Sequence, residues 1–561
     1  MSSSVEIDSV ASEAIAAPQV VPRREAFARE RGVILALAAL VLLGLGLRLS
    51  NVSTLGFAED EINKLNAVRA YEQGDIRPNA EHPMLMKALM FVSVKAQHAW
   101  NARSSIQISD ETALRFPNIL FGALTAIPLF LLAAAFFDRW TGLLASALWA
   151  FGINAITYNR IAKEDTLLVF FMLFGFYFYL RAKQASWREV KTKRRNYILS
   201  GASWGLMLAS KYFPHYFGLN MLYHHYVRVR KKEPNEPSGK TPLYFYLIAG
   251  ATFLIANPAV LLPQTWAYLD AYTSGQLLSH TGYLMGGELY KNTMASTPFW
   301  GTPVYFYALF LLIKVPLPVL IAFLIGMVEC IRRWRHPGHA FLLLMFLLWI
   351  VPYSLIGAKW LRYTLSLMPF IYMIAAVGIV TLVRFVASRL KALSAERALR
   401  FVSALALIVF IAWPAWTAYA NRPHYAAYTN ALGGGRVGYF FPHDEFYDDG
   451  LREAIEFVCK TAPQGATIVH ETPGVVGYYL EKFGRTDMQS RVLSDANFKL
   501  ADTPLQTYII LQRGRTYFEN REKMKEVRAS FDKVYEGFVE DVSAVEVYTQ
   551  ANILKAVRSI R

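Results

Sequence analysis

Long, uninterrupted apolar runs dominate this chain. A helix needs about 20 mostly apolar residues to cross a bilayer core. Runs of that kind recur at residues 32–50, 115–137, 141–158, 165–181, 243–262, 303–330, 339–356, 366–384 and 401–420. The stretch 197–227 carries Lys211, Pro214 and His215 at its middle, which predicts two short spans meeting at one face and about eleven spans in all. After residue 420 the pattern changes. ATIVHE, TYIILQ and AVEVYT read as short strands, and DGLREAIEFVCKT and NREKMKEVRASF as helices. The expected architecture is a polytopic α-helical membrane protein: a disordered tail over 1–31, a membrane domain over 32–420 and a soluble α/β domain over 421–561.

Composition agrees with that reading. Of 561 residues, 54% are hydrophobic and 18% charged, against about 45–50% and 25% in soluble domains, so an ordinary soluble enzyme is excluded. The net charge of +16 needs no nucleic-acid partner, because Lys and Arg gather in cytoplasmic loops. The loop RAKQASWREVKTKRRN holds seven Lys/Arg against one acid, and 228–232, 331–335 and 384–400 are also basic. With these loops and the N-terminus inside, eleven spans alternate and the C-terminal domain lies outside. Counting the semi-apolar stretch 83–100 as a span would break the alternation, so it is expected to lie along the interface. The first run follows Arg23, Arg24, Arg29 and Arg31 without a small-residue cleavage pattern, and reads as an uncleaved span. Cys330 and Cys459 then fall on opposite sides and are not expected to pair. The sequence has no internal repeat of the kind that marks secondary transporters.

The candidate chemistry collects on the outward side, in loops 51–114 and 263–302 and in the turns at 159–164, Lys211 and 357–365. Glu59, Asp60 and Glu61 follow the first span directly. Crowded carboxylates at a low-dielectric boundary can leave one a better proton acceptor, although the same residues equally suit an acidic helix cap. Glu81-His82-Pro83 leads to Lys87, one turn into a helix, where a lysine also snorkels to headgroups. Arg160, Lys163, Lys211, Lys359 and Arg362 come from separate segments of one face, and together they suggest an anion site at the outer interface. Asp165 is placed to cap the helix that follows it. His280 lies in SHTGYLMGGELY, which fits either a loop folding over a site or an ordinary surface loop.

Asp60-Glu61, then His82-Pro83 with Lys87, then Arg160 with Asp165, taken in that order, resemble the protein O-mannosyltransferase family and its bacterial relatives. KVPLPVL at 314–320, KWLRYTLSLMP at 359–369 and RPHYAAYTNALGGG at 422–435 extend the resemblance over nearly the whole chain. There are departures: HPMLMK stands where the family usually has HPPLAK, loop 263–302 is too short for a β-trefoil domain, and WWDYG is absent. Aminoarabinose transferases of the lipid A pathway share the architecture but typically carry an acid where His82 stands.

The resemblance implies a C-type (GT-C) glycosyltransferase fold and transfer of a monosaccharide, mannose first, from a polyprenyl-phosphate carrier to a hydroxyl of protein, lipid or envelope glycan. The site would face the periplasm from a bacterial inner membrane. Asp60, with Glu61, is the expected catalytic pair. Glu59, His82, Lys87 and His280 would orient acceptor or sugar, and Arg160, Lys163, Asp165, Lys211, Lys359 and Arg362 would hold the donor phosphate. No cofactor is required, and the carboxylates leave a divalent metal open. A lipid-linked-sugar transporter would gather the same cations, but would normally need a path through the membrane. A glycan-binding receptor or assembly protein would need no Asp60.

Overall fold

The computed structural model describes residues 23–234, 236, 239–274, 282–293, 301–390 and 394–550. Among these, six helices are long and apolar enough to cross a membrane: Glu30–Thr54, Asp110–Phe136, Asp165–Gln184, Pro337–Leu355, Met368–Arg389 and Ala395–Ala420. A seventh is added if the pair Arg139–Phe151 and Ile153–Asn159, bent by 57°, is one span. The chain is a multi-pass membrane protein. The other expected spans form shorter or charge-bearing helices. Val190–Ser210 and His215–Tyr226 flank Lys211, and Leu243–Ala256 has only 14 residues. Phe306–Lys314 is separated from Leu317–Arg332 at Val315-Pro316, where proline lacks the amide a continuous helix needs.

Two devices let these helices pack tightly. At the 57° bend, Trp149 and Ala150 are left with carbonyls that water cannot reach. The Arg48 guanidinium donates to both, at 3.2 and 3.1 Å, and to Asn159 Oδ1 at 3.0 Å. Broken helices persist within a membrane only where such freed groups are satisfied internally. Elsewhere, Leu317–Arg332 crosses Met368–Arg389 backbone to backbone. A Cβ on Gly326 would lie 1.9 Å from the Ile374 carbonyl oxygen, and one on Gly378 would lie 1.9 Å from that of Ala322. Small residues at a crossing supply the packing that the hydrophobic effect cannot supply between helices in lipid.

Helix α1 (Arg23–Leu49) delivers the chain to α2 (Glu59–Glu72), and α3 (Met84–Asn101) follows. The stretch expected at the interface is α3, and it is not among the six spanning helices. Further along the chain β1 (Tyr283–Met285) and β2 (Glu288–Tyr290) form a hairpin.

The C-terminal domain is α/β. Its sheet comprises β3 (Thr467–His470), β4 (Gln489–Val492), β5 (Thr507–Gln512), β6 (Asp532–Val539) and β7 (Val542–Thr549), in the order β4-β3-β5-β7-β6. The first three strands are parallel, and β7 runs antiparallel to β5 and β6. Strands β3 and β5 are buried along their whole length, as strands covered on both faces are. The three expected strands and two expected helices are present; β4, β6 and helix Pro473–Lys482 add to them. Cys330 and Cys459 are both free thiols.

This domain shares a core with the membrane part. Ile62, Leu65 and Val68 of α2 and Met86 and Met90 of α3 pack into one buried cluster with Ile455, Val475, Val476 and Tyr479. Below that cluster a buried ion pair pins the first turn of α2. Arg115 donates to both oxygens of Glu61, at 2.8 and 2.6 Å, and to the carbonyls of Val52, Leu55 and Gly56. Glu61 also accepts from the amides of Ala58 and Ala162.

Removing one partner of a buried pair strands the other charge, at about 3–5 kcal/mol. Arg115→Met is therefore expected to lower the thermal midpoint of the detergent-solubilised protein sharply. Adding Glu61→Gln should restore part of the loss, which a double-mutant cycle reads directly. At the glycine crossing, Gly378→Val forces the backbones apart and is expected to cost at least about 1–3 kcal/mol by the same measurement.

Candidate functional site

The three carboxylates that open α2 point three ways, because successive helical residues are rotated by about 100°. Glu61 turns inward to Arg115. Glu59 reaches the C-terminal domain, where Arg515 Nη1 lies 2.8 Å from its Oε2. Asp60 faces a cleft of about 780 Å³ between the membrane helices and the C-terminal domain. His82, Lys163 and Arg362 line the same cleft, as do His443, Tyr447, Arg515 and Tyr517 from the C-terminal domain.

Asp60 is held through one oxygen. Lys163 Nζ lies 2.5 Å from Oδ2, the Tyr447 hydroxyl donates to it at 2.6 Å, and Arg362 Nη1 is 3.5 Å away. Among the described residues none of these contacts falls on Oδ1. Burial alone would raise the Asp60 pKa, but the charges of Lys163 and Arg362, with the hydrogen bonds from Lys163 and Tyr447, hold it well below the usual carboxylate range. Burial lowers Lys163 to about 8, and Asp60 offsets only part of that. His82 is pushed well below its ordinary value, by burial first and then by Lys64, Lys163 and Lys87, so its ring is neutral. Glu59 is raised by burial, with Arg515 opposing.

Five expected site residues meet in the cleft: Glu59, Asp60, His82, Lys163 and Arg362. Others serve elsewhere. Glu61 is committed to Arg115 and holds α2 in place, so it does not join Asp60 as a reacting pair. Arg160 donates to the carbonyls of Arg48, Ser50 and Asn51, where α1 runs out of amides, and its charge sits over the Tyr425 ring. Lys359 is fully buried on the carbonyls of Thr302 and Ile356. Lys87 bonds the carbonyls of Asn79 and His82 and so fixes the loop that carries His82. Lys211 and Asp165 neutralise each other at 2.6 Å, outside the cleft lining. Carbonyls or a carboxylate satisfy each of these cations, which leaves Lys163 and Arg362 as the expected phosphate-facing cations that reach the cleft. His280 lies outside the described residues. The described residues contain no group of three or more His, Cys, Asp or Glu able to hold a metal ion.

Two features escaped the sequence reading. Glu164, next to Lys163, is buried and pairs with Lys64 at 2.5 Å, holding the turn that presents Lys163. The run Lys163-Glu164-Asp165 in a short turn between two helices was the available signal. The segment Pro442–Asp449 is the larger omission. Asp448 accepts a forked pair of bonds from Arg515, at 2.8 and 2.5 Å, and another from the Glu59 amide at 2.9 Å. Glu445 pairs with Lys314 at 2.5 Å, and Asp449 with His424 at 3.0 Å. Asp444 accepts from the Tyr283 hydroxyl and the Leu361 amide. Tyr447 sits at φ 50°, ψ −106°, a conformation that costs a non-glycine residue about 1–3 kcal/mol and persists only where surroundings enforce it. Four acids within six residues beside two aromatics marked this segment, but nothing in the linear sequence ties it to Asp60.

Residues 97–260 match the family model described as dolichyl-phosphate-mannose-protein mannosyltransferase. That stretch includes Arg160, Lys163, Glu164, Asp165 and Lys211 and begins after Asp60 and His82. Among solved structures, ArnT of Cupriavidus metallidurans bound to undecaprenyl phosphate is 13% identical, with 92% of this chain and 98% of that chain covered and a TM-score of 0.47. AglB, the oligosaccharyltransferase of Archaeoglobus fulgidus, in complex with an inhibitory peptide and a dolichol-phosphate, is 12% identical over 94% of this chain and 75% of that one, at 0.48. The Pmt1–Pmt2 complex of S. cerevisiae bound to the sugar donor is 16% identical over 45% and 38%, at 0.32. No curated protein matches the sequence. Over residues 97–260, then, the chain is similar to the dolichyl-phosphate-mannose-protein mannosyltransferases.

Proposed function

We propose that this protein moves a monosaccharide, mannose first, from a polyprenyl-phosphate carrier to an acceptor hydroxyl at the outer face of a bacterial inner membrane, inverting the anomeric centre. The observation that carries the reading is one carboxylate, Asp60, sharing an open cleft with two cations from separate loops, Lys163 and Arg362. The family match over 97–260 supports a phosphate-linked donor. The acceptor is a hydroxyl of a protein Ser/Thr, a lipid or an envelope glycan.

In the reaction, an acceptor oxygen bonds to the anomeric carbon as the bond from that carbon to the phosphate oxygen breaks. The electron pair leaves with polyprenyl phosphate, and the acceptor proton passes to Asp60. Cations fixed in advance near the departing oxygen stabilise the charge that grows there, often the largest catalytic contribution. Without donor, Lys163 and Arg362 make Asp60 a weak base. A donor phosphate would compete for both cations, raise the Asp60 pKa, and so couple basicity to a filled site. His82, neutral and adjacent, is placed to orient a hydroxyl, and Lys87 holds its loop.

The test uses wild type and Asp60→Asn in lipid nanodiscs, with a panel of polyprenyl-phosphate sugars, envelope extract as acceptor source, and free polyprenyl phosphate measured by mass spectrometry. One donor should be turned over by wild type, with turnover in Asp60→Asn reduced by about 10²-fold or more while donor binding persists. Mutant turnover above about a tenth of wild type would remove Asp60 from the role of base. The pH profile gives an independent check. Because the Lys163 ammonium is lost as pH rises through about 8, kcat/KM for donor should fall above that pH. In Lys163→Arg, which stays charged, the alkaline limb should move upward.

A further inference from the structure

We propose that the outward C-terminal domain is a working part of the transferase site, and that its Tyr447 is a positioning residue for Asp60. The inference deepens the function proposed above and rests on Asp60 acting as the base there.

Three observations carry it. The first is the bond itself: the Tyr447 hydroxyl donates to Asp60 Oδ2 at 2.6 Å across the junction of the two domains. Lys163 Nζ and Arg362 also approach Oδ2, so the carboxylate is fixed through one oxygen and can take a proton on the other. A carboxylate held only by two flexible cations would swing with them whenever a donor phosphate drew them away. A phenol has no charge for the phosphate to attract, so its bond survives donor binding and keeps Oδ1 directed at the acceptor.

The second is the conformation of Tyr447, at φ 50° and ψ −106°. Its neighbours enforce this geometry from both sides in sequence. Glu445 is tied to Lys314 and Asp448 to Arg515. Gly514 closes the turn so tightly that a Cβ there would lie 2.9 Å from the Tyr447 carbonyl oxygen and 3.1 Å from that of Pro442. Strain held this firmly next to a reacting group is a common mark of preorganisation.

The third is that the same segment grips the helix that carries Asp60. Asp448, locked by Arg515, accepts from the Glu59 amide, and Arg515 reaches the Glu59 carboxylate. The position of α2, the rotamer of Asp60 and the wall of the cleft are therefore all set by the outward domain. Around Asp60 the charged and titratable groups lining the cleft are Glu59 and Lys64 on its own helix, Arg77, Glu81 and His82 from the loop after it, Lys163, Tyr268 and Arg362 from the membrane domain, and His443, Tyr447, Arg515 and Tyr517 from the C-terminal domain. Of these, the Tyr447 hydroxyl is the neutral donor to Asp60.

The experiment compares pH profiles of donor turnover for wild type, Tyr447→Phe and Asp60→Asn in nanodiscs. Tyr447→Phe keeps the ring and removes only the donor. Losing a hydrogen bond to the charged form raises the Asp60 pKa, so the acid limb of kcat should move up by about one pH unit. kcat on the plateau should fall while KM for donor stays within about twofold. Gly514→Ala, which displaces the Tyr447 backbone without removing the hydroxyl, should shift the limb in the same direction. If Asp60→Asn is inactive yet Tyr447→Phe shows the wild-type limb and kcat, the Tyr447 role is overturned and the transferase reading stands. If Asp60→Asn keeps its activity, both fail together. A Tyr447→Phe protein whose thermal midpoint drops while its pH profile is unmoved would mark the residue as structural, and would also overturn the proposal.

Discussion

The site depends on how the first turn of α2 is fixed. Three adjacent carboxylates at a membrane face would repel one another and the turn would fray, unless each has its own counter-charge. Glu61 takes Arg115 from below, Glu59 takes Arg515 from above, and Asp60 takes Lys163 and Arg362 from the side. Each partner comes from a different part of the fold, so α2 can adopt this position only when the membrane helices and the C-terminal domain are both assembled. The buried Glu61–Arg115 and Asp448–Arg515 pairs carry a heavy desolvation penalty and are weak evidence of stability in themselves. Their value here is register: each leaves one orientation of the turn in which no buried charge lacks a partner.

That arrangement shows why a polar site can exist at the end of an apolar bundle. Several buried cations are used to make the membrane part self-sufficient in hydrogen bonds. Arg48 covers the carbonyls freed at the 57° bend, Arg160 covers those at the end of α1, and Lys359 binds two loop carbonyls. Irregular backbone near a bilayer must be satisfied from within, and long basic side chains do this at little cost in space. Lys163 and Arg362 differ because their counter-charge, Asp60, is itself part of an open cleft. An incoming anion can exchange with it, whereas carbonyls offer no such exchange.

The division between the two regions is therefore topological more than functional. One apolar cluster runs from α2 and α3 into the helices of the C-terminal domain. The Pro442–Asp449 segment ties into Lys314, Tyr283, Leu361 and Asp60, which lie on four separate parts of the membrane domain and its loops. A domain that served only as a tether would have no need of so many buried connections to the cleft.

Much of this was legible in the sequence. Apolar runs of span length, and short strands mixed with helices after residue 420, follow from local periodicity and solvent preference, which neighbouring residues set among themselves. The lysine at the centre of 197–227 likewise announced a break, and the helices do stop on either side of it. Asp60, His82, Lys163 and Arg362 could be proposed because charge is expensive near lipid and so stands out. The sequence could not say which charges were already satisfied: Arg160 and Lys359 look as available as Arg362 until the carbonyls around them are seen. Nor could it join Tyr447 to Asp60, since a bond across 387 residues leaves no periodic trace in either segment. Composition and spacing determine which elements form and which face holds the charge. Only tertiary packing decides which of those charges stay free to meet a ligand, because a buried polar group takes whichever partner the fold brings within reach.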